Sequence, residues 1–257
     1  MKKLLKLGWI ILLFMACSKD DDLNIDDNYN IDKSQNQKAT GSSSHELLSD
    51  GRFKSIHIEL VYAQGQEPSQ SSIDNFVDFI ENRTFKPNGI TIETRSIASL
   101  GKTKYTIEDI VQIEETNRTR YNFDDQIALW VYFSDGSSSD DTDSTSVLGT
   151  AYRNTSFVIY EQTIQKLSDG AFAPNRELLE TTVITHEFGH ILGLTNFGTT
   201  MVENHEDAEH GKHCNNESCL MYWAVERGAG LANLTGASSA PELDTQCIAD
   251  LRENGGK

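Results

Sequence analysis

The sequence predicts a mixed α/β (α+β) domain, with a mixed twisted sheet and helices above one long helix, followed by an irregular C-terminal subdomain. Three observations point there. Short apolar strand-like stretches alternate with stretches of helical period between Phe53 and Tyr160. A longer helical stretch runs from Pro174 into Thr185-His186-Glu187-Phe188-Gly189-His190. Beyond Leu194 no sustained period returns.

In chain order, Phe53 to Tyr62 alternates as a strand does, and His57 within it reads as a strand histidine, packed or at the surface. Ile73, Phe76, Val77 and Ile80 fall on one helical face. Gly89 to Ile97 returns to strand, and Thr106 to Asn117 reads as a second helix. The continuous apolar run Ile127 to Phe133 marks a strand buried on both faces. Ser134 to Ser146 is rich in Ser and Asp without the regular spacing of a calcium loop, and is expected to be solvated. Val147 to Asn154 and Ser156 to Tyr160 are two further strands. Pro174 then opens a helix of about 20 residues, because a proline in the first turn forfeits no intrahelical bond.

The chain has 257 residues and a net charge of −17. The length suits one catalytic domain plus appendages. The acidic balance argues against nucleic acid, whose phosphates need basic patches, and against docking on anionic lipid through charge. At the N-terminus, Met1 to Lys6 supplies a positive region and Leu7 to Met15 a short apolar core. The core ends in Leu13-Phe14-Met15-Ala16-Cys17. A small residue before a Cys, directly after an apolar run, resembles a bacterial lipobox. The resemblance implies cleavage before Cys17 and lipidation at Cys17. Ser18-Lys19-Asp20-Asp21-Asp22 resembles the acidic export tags of surface lipoproteins in Bacteroidetes-like bacteria. Together these imply a lipid anchor in the outer membrane, at the cell surface or on the periplasmic face. Residues 17–52 are polar and aperiodic, which predicts a flexible acidic/polar tether. With Cys17 lipidated, three cysteines remain: Cys214, Cys219 and Cys247. Outside the cytoplasm they form one disulfide and a free thiol, or act together on a metal.

On a helix, His186 and His190 lie one turn apart on the same face and can hold one metal ion between them. Glu187 can reach a water on that ion, and Gly193 can end the helix. This is the arrangement of zinc hydrolases, and it needs a third protein ligand. In its compact form that ligand is a His at position 196. Asn196 stands there instead, and an amide oxygen is a poor zinc ligand. His205, His210 and His213 follow, and spacing alone leaves all three open.

The stretch is similar to the metzincin clan of zinc peptidases. His213-Cys214-Asn215-Asn216-Glu217-Ser218-Cys219-Leu220-Met221 resembles the archaemetzincin subgroup, in which the third ligand His is followed by Cys, four residues, Cys, one residue and Met. The resemblance implies a metzincin-like fold, Asn196 to Lys212 as an insertion, His213 as third zinc ligand and Met221 as the Met-turn. His205 and His210 then read as solvated side chains of an acidic loop. Where the subgroup has a later Cys-x-x-Cys, this chain has Asp244-Thr245-Gln246-Cys247. Cys214, Cys219, Cys247 and Asp244 can still complete a second, structural zinc site, with a disulfide among the three cysteines as the alternative.

The activity implied is that of a zinc-dependent endopeptidase on protein or peptide substrates. His186, His190 and His213 hold the zinc, Glu187 is the general base, and the strand Val147 to Asn154 pairs with an extended peptide. The domains would be a lipoprotein signal peptide at 1–16, the tether at 17–52 and a zinc metalloprotease domain at 53–257, acting as a monomer. The alternative is a non-enzymatic surface-binding lipoprotein with a degenerate metzincin-like site, for which Asn196 is the main support.

Overall fold

The computed structural model describes residues 31–170, 173–228 and 234–257. The leader, Cys17 and the first part of the expected tether lie outside the described residues. Among the described residues seven strands form: β1 (Ser55–Ala63), β2 (Ile90–Ile97), β3 (Lys104–Tyr105), β4 (Gln126–Phe133), β5 (Ser137–Ser138), β6 (Gly149–Arg153) and β7 (Ser156–Ile159). Five of them make one sheet in the order β2-β1-β4-β7-β6. β1 runs parallel to β2 and β4, and β4 parallel to β7. β6 runs antiparallel to β7 and forms the edge of the sheet.

The described helices are α1 (Ser44–Leu48), α2 (Gln70–Arg83), α3 (Ile107–Asn117), α4 (Glu161–Ser168), α5 (Arg176–Ile191) and α6 (Thr245–Glu253). Local chemistry starts several of them. The Ser69 hydroxyl accepts the Ser72 amide at α2, and Thr106 and Asp109 form a capping box at α3. The alternation of β4 then sorts the layers. Ile127, Leu129, Val131 and Phe133 face a core shared with Phe76 of α2 and with Leu179, Val183 and Phe188 of α5. Trp130 and Tyr132 face the other way, into a smaller core with Ile110 and Ile113 of α3. Phe76 meets Phe188 edge to face at 5.3 Å, which fixes α2 against α5. The stretch from His186 to His190 therefore lies on a helix buried beneath the sheet, not at the surface.

Strands β1, β2, β4, β6 and β7 and the helices α2, α3 and α5 fall where periodicity predicts them, whereas the two-residue strands β3 and β5 have no period to read. The tether does not. The folded unit begins at Ile31, not at Phe53. Leu47 and Leu48 are fully buried, and Asn36 Nδ2 donates to Ala128 O and to Thr155 Oγ1, both at 3.1 Å. A short irregular segment held by a few deep anchors has no period to read. The loop Ser134 to Ser146 is also less solvated than expected: β5 pairs with β3, and Tyr105 Oη donates to Asp135 Oδ1 at 2.7 Å. α4 and α6 were not anticipated. Pro174 does not open α5; it precedes the N-cap Asn175, whose Oδ1 accepts the Leu178 amide, and the helix spans 16 residues.

α5 is tied at its start by a charged knot. Arg176 Nη2 lies 2.8 Å from Glu161 Oε1 of α4, and its Nε lies 2.7 Å from Glu180 Oε1. Glu180 Oε2 accepts from the Ser69 amide at 2.9 Å and from the Ser72 hydroxyl at 2.6 Å. One guanidinium faces two fully buried carboxylates. Burial and the Glu180 charge push Glu161 up to about 8. Between its ordinary value of 4.5 and about 8 the folded chain holds a proton that the unfolded chain has released, so stability falls as pH rises through this window. Urea unfolding at stepped pH should show that decline, and Glu161→Gln should flatten it. An unchanged pH slope in the variant would rule this assignment out.

Candidate metal centre

α5 is 0% exposed at His186 and Glu187 and 3% exposed at His190. Its end is a sharp reversal. Gly193 has φ +80°, Thr195 +49° and Asn196 +68°. Asn tolerates the left-handed region better than most residues. The Asn196 side chain points away from the histidines and donates to Glu206 Oε2 at 3.0 Å. Lys212 Nζ donates to Asn196 O at 2.7 Å, and Thr195 Oγ1 donates to Lys212 O. The residue that breaks the compact motif thus closes the base of the insertion, and the chain re-enters at His213 beside the end of α5.

The structure brings together His186, His190, His213 and Glu226. The two Nε2 atoms of His186 and His190 are 3.2 Å apart. Glu226 Oε2 lies 3.8 Å from each of them and 3.5 Å from His213 Nε2. A tetrahedral ion with bonds of about 2.0–2.1 Å has ligand atoms roughly 3.3 Å apart, so the spacing fits zinc. The hydrogen bonds behind the rings agree. His186 Nδ1 meets Leu220 O at 2.7 Å, and His213 Nδ1 meets Gly211 O at 3.1 Å. A carbonyl can only accept, so both Nδ1 atoms donate and both Nε2 lone pairs face the centre. His213 Nε2 is buried without a hydrogen-bond partner among the described residues, which an ion would satisfy.

The electrostatics are those of a group built to hold a cation. Burial, with hydrogen bonding to Glu226 opposing it, drives His190 down to about 4, so its ring is neutral at pH 7. For Glu226, burial acts upward, but the three imidazoles that face it outweigh burial and hold the carboxyl well below the usual range. Glu187 goes the other way: burial, then the Glu226 charge, raises it well above an ordinary carboxyl. Both its oxygens are buried and unpartnered among the described residues. β6 passes directly over it, since a Cβ on Gly149 would stand 2.6 Å from Glu187 Cγ. Met221 lies beneath α5, where a Cβ on Gly189 would stand 2.3 Å from Met221 Sδ. A cleft of about 330 Å³ opens beside His213 and Glu226, lined also by Thr145, His210, Trp223 and Arg227.

A second cluster lies behind His213. His205, Cys214, Asp244 and Cys247 offer ligand atoms within 4.8 Å of one another. Cys219 Sγ is 3.7 Å from Cys247 Sγ, and all three cysteines are free thiols, so the expected alternative of a disulfide does not form. Hydrogen bonds with Cys214 and Cys247 pull Cys219 well below an ordinary thiol, and those with Cys214 and Cys219 push Cys247 up. His205 is not the solvated side chain the sequence suggests. It is fully buried, with Nδ1 3.4 Å from Cys214 Sγ and Nε2 2.8 Å from Asp250 Oδ2. Hydrogen bonding to Cys214, together with Asp250, holds it up at about 9 against burial. Asp244 Oδ1 already caps α6 through the Cys247 amide at 2.8 Å, leaving Oδ2 3.2 Å from Cys214 Sγ. His210, half-buried, stacks on Trp223 with ring centroids 4.0 Å apart and pairs with Asp207.

Sequence reasoning found His186, Glu187, His190 and His213 and missed Glu226 and His205. Glu226 has no helical spacing to the other residues that could have revealed it. For His205 a signal existed: it lies nine residues before Cys214, in the only His-rich stretch near the cysteines.

No family model matches the chain, and no curated protein matches it. Among solved structures it is similar to the archaemetzincin of Methanopyrus kandleri, with a TM-score of 0.50 at 17% sequence identity, covering 78% of this chain and 96% of that one. The fold is archaemetzincin-like. At that identity the likeness speaks for the arrangement of sheet and helices, and the chemistry rests on the residues described above.

Zinc content after dialysis discriminates among the histidines. His213→Ala should weaken zinc binding at the centre by more than the about 10–100-fold that loss of an outer partner costs, and His210→Ala should leave it unchanged. Equal losses from the two variants would contradict the grouping.

Proposed function

We propose that the chain is a zinc-dependent endopeptidase tethered by lipid at Cys17. The observation that carries the reading is a trio of imidazoles converging on one point beside a buried carboxylate, Glu187. His186, His190 and His213 would hold the zinc. Zinc bound there would polarise the scissile carbonyl and bring the pKa of the attacking water to about 7. Glu187 takes the proton from that water and hands it to the leaving amine. Its burial keeps its proton affinity high enough for both tasks. β6, the edge strand above Glu187, is the strand along which an extended peptide would lie, and the cleft beside His213 would take a neighbouring substrate side chain against the flat Trp223–His210 stack.

The proposal extends to a second, structural zinc held by Cys214, Cys219 and Cys247. His205 is the better fourth donor, because Asp250 orients its ring while Asp244 is engaged at the α6 cap. This metal would fix His213 through its chain neighbour Cys214. The Lys-rich leader and the Ala16-Cys17 junction support the anchor and, with the acidic run after it, an outer-membrane location facing the cell surface. A non-enzymatic binding lipoprotein is the second reading, favoured by the position of Glu226 at the fourth corner of the centre.

Glu187→Gln should retain zinc and lower cleavage of a broad peptide library by about 10²–10⁴-fold. Cleavage undiminished in that variant would remove Glu187 from the mechanism.

A further inference from the structure

Glu226 follows a short 3-10 turn, Trp223–Val225, and is 14% exposed in its side chain. Its Oε2 completes a four-atom shell with the three imidazoles. Hydrolytic zinc sites keep a position open for water or substrate, whereas closed four-ligand shells are characteristic of structural sites. This centre has the closed shell and also a spare carboxylate, Glu187, which a structural site does not need.

We propose that Glu226 is a displaceable fourth ligand that keeps the centre latent until a substrate group takes its place. The latency rests on the peptidase reading above; the ligation does not. Three features make Glu226 the mobile member of the shell. Its backbone is pinned, because Leu148 N donates to Glu226 O at 2.8 Å just before β6, so only the side chain needs to turn. Its other oxygen, Oε1, already lies 3.2 Å from Arg227 Nε, and Arg227 is 43% exposed at the cleft. Rotation about the Glu226 side-chain bonds carries the carboxylate from the imidazole cage into that cleft while Arg227 remains its counter-ion. Glu187 has no such freedom under Gly149. The two carboxylates therefore divide the work: Glu187 is locked in place for proton transfer, and Glu226 occupies the corner that an incoming carbonyl or water must take. An anionic fourth ligand also lowers the Lewis acidity of the ion it binds, so the closed shell is a poor activator until it opens.

The test uses the full chain loaded with cobalt(II) in place of zinc. Acetohydroxamate, which needs an open coordination position, is titrated into wild type, Glu226→Gln and Glu226→Ala and followed by visible absorption. If the open state is populated to about one part in ten, wild type should bind about tenfold more weakly than either variant. Glu226→Gln keeps the side-chain shape, so it decides the matter should the alanine variant fail to fold. Equal affinity in wild type and Glu226→Gln overturns the proposal. Peptide cleavage is assayed separately: tighter hydroxamate binding with no cleavage by any of the three proteins upholds Glu226 as a ligand and removes the peptidase reading instead.

Discussion

His186 Nδ1 and the Leu220 carbonyl meet at 2.7 Å, and the rest of the centre depends on that bond. It joins α5 to a segment 34 residues downstream, orients one imidazole and sets Met221 directly under the helix. Around it, Cys214 N donates to Met221 O at 2.7 Å, and Leu220 N donates to Glu242 O at 2.9 Å. His213 is placed by this bracing, not by any helix or strand of its own. The insertion between Asn196 and Lys212 costs little to close, because loop entropy grows only with the logarithm of length and its base is tied at both ends. The thiol cluster is a second brace on the same turn, so a metal bound there would be mechanically linked to one bound by the histidines.

The centre also shows how one helix can carry ionisable groups through an apolar core. Burying a charge or an unpartnered polar atom is expensive, and α5 does so at His186, Glu187 and His190. Leu220 O satisfies one ring, Glu226 sets a carboxylate against the three imidazoles, and His213 Nε2 is left without a hydrogen-bond partner among the described residues. Below the sheet, the Glu161–Arg176–Glu180 knot holds the start of the same helix. Ionisable side chains buried along α5 are thus concentrated at its two ends, while Leu179, Val183, Phe188 and Ile191 supply its apolar packing.

Much of this was legible from the residues. Strand β4 could be read from its unbroken apolar run, and α3 from its period, because burial leaves a direct trace in the order of side chains. The His186 and His190 pair could be read because i and i+4 fix a face. Other features left no such trace. Glu226 comes to the centre through tertiary folding alone, and a single acidic residue in a loop has no spacing to betray it. His205 looked solvated because its neighbours are acidic; its burial depends on Asp250, 45 residues away. The segment from Asp32 to Leu48 looked like tether because a few anchors, Asn36 among them, hold an otherwise polar stretch.

The claim at the centre of this account is that a return across the insertion completes a three-histidine site. Crystals of the zinc-loaded protein, measured on both sides of the zinc absorption edge, address it directly. The account predicts an anomalous peak equidistant from the Nε2 atoms of His186, His190 and His213. A peak held by His186 and His190 with His213 turned away, or no peak beside α5 in zinc-replete crystals, would contradict it.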